Sequence, residues 1–145
     1  MIRSFIKAKA RFPIFSVTDL EIMRAALRNN AGNDITGFLL RDTNTYLSVV
    51  EGPDDKVDGL LQRISRDSRA FGVEVLSWQT IDHRYFPNWS MGYHEAGQSL
   101  HKTCAIEAFL KAPSSEVLPQ VLSEMRDIAL RQMQQDQLQE HRKSA

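Results

Sequence analysis

The sequence predicts an α+β fold of the ferredoxin-like type: a βαββαβ sheet with two helices on one face, an extra strand and a C-terminal helical cap. Short runs with strand character alternate with two helical runs in this order over the first part of the chain. The last part carries only helical periodicity. We therefore expect one domain over residues 1–95 and a helical cap over 96–145 that extends it.

The first strand and helix are indicated near the N-terminus. Residues 2–8 have the composition of a strand, although their alternation is weak. Thr18 and Glu21 form a capping box, which predicts the start of a helix. Apolar positions then follow at helical spacing: Leu20, Met23 and Leu27. The run Asn-Asn-Ala-Gly at 29–32 predicts a left-handed C-terminal cap, because Asn and Gly tolerate that conformation.

Four more strands complete the predicted sheet. Residues 35–41 and 46–50 are two strands joined as a hairpin by the four-residue loop 42–45. A fourth strand is predicted at 73–81 and a fifth at 89–94.

The remaining elements are helices. Pro53 suits the first turn of a helix, where its missing N–H costs no hydrogen bond. The apolar stripe of that helix is Val57, Leu60, Leu61 and Ile64. Residues 103–111 predict a short helix, and Ser114 or Ser115 caps a longer one. One face of the longer helix carries Leu118, Val121, Leu122, Met125, Ala129 and Met133. The polar tail beyond Gln134 is expected to fray.

Composition narrows the class of protein. Of the 145 residues, 42% are hydrophobic and 25% are charged, which is close to the averages for globular domains. The 18 basic residues balance the 18 acidic ones, which argues against general binding to nucleic acid or to anionic membranes. Cys104 is the only cysteine, and the sequence has no signal peptide or transmembrane run. We expect a cytoplasmic protein.

No catalytic signature is found in the sequence. It has no glycine-rich phosphate loop, nucleophile elbow or zinc-binding histidine pair. The four histidines, at 83, 94, 101 and 141, are scattered over loops and ends. We therefore predict no catalytic residues and no metal site, and an enzyme is the weakest interpretation.

The predicted fold places a cleft between its two helices, over the sheet. The strand residues that we expect to face this cleft are Phe5, Lys7, Lys9, Tyr46, Ser48 and Val50. The helix ends add Asn29, Asn30, Arg63, Asp67 and Arg69. Polar groups that converge on an apolar cleft are typical of a small-molecule pocket. Taken alone, the asparagines are more typical of a helix cap, and the arginines are more typical of solvated charges beside a helix C-terminus.

Four segments appear in order across the chain. They are "NNAGNDITGFLL" (29–40), "YLSVVEGP" (46–53), "RISRDSR" (63–69) and "RYFPNWSMG" (84–92). Together they resemble the BLUF family, the flavin-binding blue-light sensor domains. The resemblance covers nearly the whole chain and implies the same ferredoxin-like fold.

The resemblance implies a flavin, FAD or FMN, held without a covalent bond between the two helices. By analogy, Asn29 and Asn30 hydrogen-bond the carbonyl and imide edge of the flavin ring. Arg63, Asp67 and Arg69 hold the polar end of the ring and the ribityl-phosphate tail.

The resemblance also implies how a signal leaves the site. Trp89 and Met91 lie on the strand that relays the change to the helical cap. The cap would then contact a protein partner, and short members of the family commonly form homo-oligomers.

Two positions depart from the family. Its photochemistry uses a Tyr on the first strand and a Gln on the third, and our alignment places Lys7 and Ser48 there. Lysine has no one-electron oxidation comparable to that of a phenol. A single hydroxyl cannot form the two-ended bridge that an amide makes. We therefore predict that blue light produces no persistent red-shifted flavin state.

Two alternatives to a light sensor follow. If Lys7 donates a hydrogen bond to the flavin, it could stabilise a reduced form, and the domain would be a redox sensor. If Lys7 and Lys9 instead reach solvent and the cleft is collapsed or empty, the protein is a flavin-free interaction module.

Overall fold

A computed structural model describes residues 1–93, 104–112 and 114–143, and the chain divides into two compact units, residues 1–99 and 100–145. The first unit contains five strands and two helices. They are β1 (Ile2–Ala10), α1 (Val17–Ala31), β2 (Thr36–Arg41), β3 (Thr45–Gly52), α2 (Asp54–Arg66), β4 (Ala70–Thr80) and β5 (Trp89–Tyr93). The predicted boundary at 95/96 lies outside the described residues, as do His94 and Thr103 at the ends of predicted elements.

The five strands form one sheet in the order β4-β1-β3-β2-β5. The first four are antiparallel to their neighbours, and β5 adds to the edge parallel to β2. This order and the βαββαβ connectivity confirm the predicted ferredoxin-like α+β fold.

The core between α2 and the sheet follows the sequence pattern. Five buried residues form its centre: Ile2, Ile6, Ile35, Val50 and Val57. The remaining members of the predicted stripe, Leu60, Leu61 and Ile64, pack against it. The prediction of an amphipathic α2 is therefore confirmed, and α2 begins directly after Pro53.

The ends of α1 differ from the prediction. The helix begins at Val17 with Ser16 at the N-cap, so the prediction of a capping box formed by Thr18 and Glu21 is wrong. Instead, the carboxylate of Asp19 reaches back and accepts a hydrogen bond from the backbone N–H of Phe15 at 3.0 Å.

The predicted left-handed cap at 29–32 is also wrong. Gly32 has a φ of −72°, in the right-handed region. The left-handed residue is Asp34, with a φ of 56°, one residue before Ile35. The helix therefore ends as an ordinary turn, and the side chain of Asn30 is left available for another role.

The apolar residues of α1 do not all face the sheet. Leu20 and Leu27 are 43% and 44% exposed, although their spacing resembles that of a core stripe. The inner face instead carries Ile22, Ala25 and Ala26, two of which are small. These alanines leave room between the helix and the sheet.

Two strand boundaries differ slightly. Thr45 belongs to β3, so the hairpin loop has three residues rather than four. The N–H of Asp42 donates to the carbonyl of Thr45 at 2.9 Å and closes the hairpin. β4 begins at Ala70 rather than at residue 73, because its first residues pair with the end of β1 past an irregularity in register.

The second unit is helical, as predicted. It contains α3 (Cys104–Lys111), a 3₁₀ turn (Ser115–Val117) and α4 (Leu118–Lys143). Of the predicted face of α4, the buried members are Leu118, Val121, Met125 and Ala129. The carboxylate of Glu124 accepts the N–H groups of Ala105 and Ile106, both at 3.0 Å, and so caps α3.

The prediction that the chain frays beyond Gln134 is wrong, because α4 continues to Lys143. Neither α4 nor any other helix among the described residues combines the length and the apolar character needed to cross a membrane.

Candidate functional site

A cavity of about 300 Å³ lies between α1, α2 and the sheet. Most of its wall is apolar, and it includes residues of β1, β2, β3 and β5. The polar residues predicted at the helix ends all line it: Asn29, Asn30, Arg63, Asp67 and Arg69. The structure therefore brings the predicted site residues together around one space of the size that small-molecule sites have.

Asn30 is the most informative residue in this wall. It is 1% exposed, and neither its amide nitrogen nor its amide oxygen has a hydrogen-bond partner within the described chain. A buried amide without partners costs about 1–3 kcal/mol. Its neighbour Asn29 lies exposed at the rim, and its backbone carbonyl accepts from Asn33 at 2.7 Å. Asn30 thus presents one donor and one acceptor to the cavity.

Trp89 supplies a second unpaired polar group. Its indole N–H is buried without a partner among the described residues, and the side chain lines the cavity. Trp89 pairs with Gly37 of β2, whose N–H donates to the carbonyl of Asn88 at 3.2 Å. A Cβ at Gly37 would overlap the carbonyl oxygen of Val49, so only glycine permits this close packing.

Asp67 and Arg69 form a two-pronged ion pair where α2 ends. The Nε of Arg69 lies 2.8 Å and 3.1 Å from the two carboxylate oxygens, and the backbone N–H of Arg69 donates to the same carboxylate at 2.9 Å. The hydrogen bonds from Arg69 lower the pKa of Asp67, and the carboxylate raises the pKa of Arg69. The pair is therefore fixed and charged at one side of the cavity.

The strand register corrects the predicted cavity face of β1. Ile6 lies opposite Ser48 and Ala8 lies opposite Tyr46, and all four line the cavity. Lys7 pairs instead with Leu47. Because side chains alternate between the faces of a strand, Phe5, Lys7 and Lys9 point to the other face. The assignment of Lys7 as the neighbour of Ser48 is wrong, because Lys7 lies on the opposite face of β1.

A buried polar cluster, unforeseen in the sequence, adjoins Tyr46. The hydroxyl of Tyr46 donates a hydrogen bond to Asp19 at 2.7 Å. The guanidinium of Arg41 lies 4.6 Å from the centroid of the Tyr46 ring and 3.5 Å from the Asp19 carboxylate. Burial and the bond to Asp19 raise the pKa of Tyr46 well above its ordinary value. Arg41 also donates to the carbonyl of Phe12, so the cluster ties the start of α1 to the sheet.

Glu51 holds the segment that leads into β5. Its buried carboxylate accepts from Arg3 at 2.8 Å and from the backbone N–H groups of Tyr85 at 2.9 Å and Phe86 at 2.6 Å. The guanidinium of Arg84 adds a 3.0 Å bond to the backbone carbonyl of Glu51. From the sequence, Glu51 was expected only to end a strand. In the structure it also holds the segment around Tyr85 and Phe86, which leads to Trp89.

The other candidate residues have smaller parts in the site. Met91 lies in β5 opposite Leu39. Ala70 lines the cavity. Within the described residues no three His, Cys, Asp or Glu side chains are grouped as metal ligands.

Comparison with known proteins identifies a family. The sequence profile described as "BLUF: Sensors of blue-light using FAD" matches residues 7–92, more than half of the chain. The photoactivated adenylate cyclase subunit beta of Euglena gracilis is 37% identical over 71 residues. That segment is 48% of this chain and 8% of the length of that relative.

Solved structures agree with this match. The dark state of BlrB, described as a BLUF protein, has a TM-score of 0.64 and 26% identity, and the alignment covers 88% of this chain and 93% of that one. The photo-activated state of BlsA has a TM-score of 0.69 over 86% of this chain and 94% of that one. Its 24% identity makes that likeness one of fold alone.

Proposed function

The chain belongs to the BLUF family, the sensors of blue light using FAD, and on that basis we propose that it is a flavin-binding regulatory protein without the family's light switch. The observation that carries flavin binding is the buried, unpaired amide of Asn30 in the wall of the cavity. An amide presents one donor and one acceptor, which match the adjacent carbonyl and imide N–H on the edge of a flavin ring.

The rest of the cavity fits the same group. Its apolar walls suit a planar aromatic ring, and the unpaired indole N–H of Trp89 offers another donor. Asn29 and Arg63 lie on its helical walls, with the Asp67–Arg69 pair beside them, where the polar edge and the ribityl chain of the flavin would be held. The flavin would supply the visible absorbance and the redox chemistry.

Loss of the switch rests on Ile6 and Ser48. These two residues lie opposite each other in the wall. Neither an alkyl side chain nor a single hydroxyl can donate an electron as a phenol does or rearrange as an amide does. We propose that absorption of blue light leaves no persistent shift of the flavin spectrum.

The role of such a protein would be binding rather than catalysis. No nucleophile–base pair is found among the described residues that line the cavity. Output would pass from Trp89 and Met91 to the helices of the second unit and from there to a protein partner. We also propose that the protein forms a homo-oligomer.

One experiment tests this function. The purified protein is incubated with FAD, the free flavin is removed, and the visible spectrum is recorded before and after blue light. We expect bound-flavin absorbance and no lasting shift. Absence of bound flavin would overturn the binding role and leave the flavin-free interaction module, whereas a reversible red shift would overturn only the loss of the switch.

A further inference from the structure

We propose that the protein reports the occupancy of its cavity at the segment 11–16, through contacts that run from Tyr46 to Asp19 and from Asp19 to Phe15. The segment joins β1 to α1 and contains neither helix nor strand. A bound flavin holds it in the conformation of the structure, and loss of the flavin releases it. The inference rests on the proposed flavin binding and adds an output that does not pass through Trp89 or the second unit.

Tyr46 connects the cavity to the segment. Its side chain lines the cavity and is 6% exposed, and its hydroxyl donates to one carboxylate oxygen of Asp19 at 2.7 Å. Asp19 is buried beside the cavity without lining it. A ligand that packs against the ring of Tyr46 restricts the rotation of that side chain. It thereby fixes the hydroxyl, and with it the bond to Asp19.

Two bonds tie the segment to the partners of Tyr46. The second carboxylate oxygen of Asp19 accepts the backbone N–H of Phe15 at 3.0 Å. The guanidinium of Arg41, which lies 4.6 Å from the centroid of the Tyr46 ring, donates to the backbone carbonyl of Phe12. The position of Tyr46 therefore affects both ends of the turn from Phe12 to Phe15.

Phe15 supplies the element with two conformations. Its φ is 62°, in the left-handed region, which costs free energy for a residue with a bulky side chain. An ordinary negative φ relieves this strain, but it takes the N–H away from Asp19. The side chain is 56% exposed, so packing in the core does not prevent the change. The strained conformation is therefore held by the bonds of Asp19 and Arg41, and it weakens when Tyr46 loses its contact with a ligand.

The first test is the hydrogen exchange of the Phe15 amide, followed by NMR without flavin and at saturating FAD. We expect bound FAD to slow this exchange about tenfold or more. The reference is the amide of Asn44 in the hairpin loop, which should change less than about twofold. Tyr46→Phe keeps the ring and removes the hydroxyl, and in this variant saturating FAD should slow the Phe15 amide by less than about twofold. The matched control is Tyr85→Phe, at a tyrosine that does not line the cavity, and it should behave as the starting protein.

The second test uses the reciprocity of coupling, by which the segment must in turn affect flavin binding. Phe15 does not line the cavity. Phe15→Pro removes the N–H and excludes a positive φ, whereas Phe15→Ala removes the same aromatic ring and keeps the N–H. Fluorescence titration measures the dissociation constant of FAD for both variants. We expect the constant of Phe15→Pro to be about fivefold or more above that of Phe15→Ala.

Equal constants for the two Phe15 variants, or a Phe15 amide whose exchange is unchanged by bound FAD, would overturn the coupling and leave flavin binding intact. Equal slowing in Tyr46→Phe and the starting protein would overturn the route through Tyr46. If Phe15→Pro does not fold, the hydrogen exchange alone decides. If no flavin binds, the proposed function fails and this inference with it.

Discussion

Ile6 lies directly opposite Ser48 in the antiparallel pair of β1 and β3, and both side chains line the cavity between the helices. Both positions therefore face the space in which we propose that flavin binds. Lys7, one residue further along β1, pairs with Leu47 on the opposite face.

The first prediction follows from this pairing. The variant Ile6→Tyr/Ser48→Gln places a phenol and an amide on the cavity face, and its bound flavin should show a reversible red shift after blue light. The measurement is the difference spectrum between illuminated and dark protein. The matched control is Lys7→Tyr/Ser48→Gln, which puts the phenol on the other face and should show no shift. A shift in the control alone would contradict the register.

Asn30 leads to a prediction with opposite effects on binding and stability. Asn30→Leu replaces an unpaired buried amide by an apolar side chain of similar size. The flavin-free protein should gain about 1 kcal/mol in its free energy of unfolding, because a desolvated polar group is removed. Flavin affinity should fall about tenfold or more, because the hydrogen bonds to the ring edge are lost.

Chemical denaturation and flavin titration measure the two effects. Asn44→Ala, at an exposed position in the hairpin loop, is the control and should change neither. A loss of stability in Asn30→Leu would mean that the amide has a partner within the protein.

Glu51 provides a prediction about the segment before β5. Among the described residues, the groups that hydrogen-bond its carboxylate are all donors, namely Arg3 and the N–H groups of Tyr85 and Phe86. Glu51→Gln puts an NH₂ group among these donors and removes the charge that Arg3 needs. The free energy of unfolding should fall by about 2–4 kcal/mol, measured by urea denaturation.

The comparison variant is Glu74→Gln, which changes an exposed carboxylate on β4. Its effect should stay within about 0.5 kcal/mol. Similar losses in the two variants would show that the bonds of Glu51 do not stabilise the fold.

Local patterns were sufficient for much of the fold. The stripe of α2 depends only on neighbours in the sequence and is found in the structure, although Pro53, predicted in the first turn, is the N-cap one residue before the helix. The helix ends that meet at the cavity followed from the fold type together with the four motifs.

The face of β1 could not be predicted in this way. Phe5 and Ile6 are adjacent apolar residues, so alternation alone does not select which of them faces the helices. That choice depends on the register with β3, which is a contact distant in sequence. The cluster of Asp19, Arg41 and Tyr46 was missed for the same reason, since its three members lie on different elements.

This cluster gives the last prediction, on pH. Burial and the bond to Asp19 raise the pKa of Tyr46 above the ordinary tyrosine value of about 10. Above about pH 10 the unfolded chain loses the proton that the folded protein retains, so the free energy of unfolding should fall as pH rises, with a slope of up to about 1.4 kcal/mol per pH unit from this group. Tyr46→Phe removes that component and should flatten the fall, at a cost of about 1–2 kcal/mol near neutral pH for the lost bond to Asp19. Urea denaturation of both proteins between neutral pH and pH 11 measures the difference, and parallel curves above pH 10 would show that Tyr46 titrates as an exposed phenol.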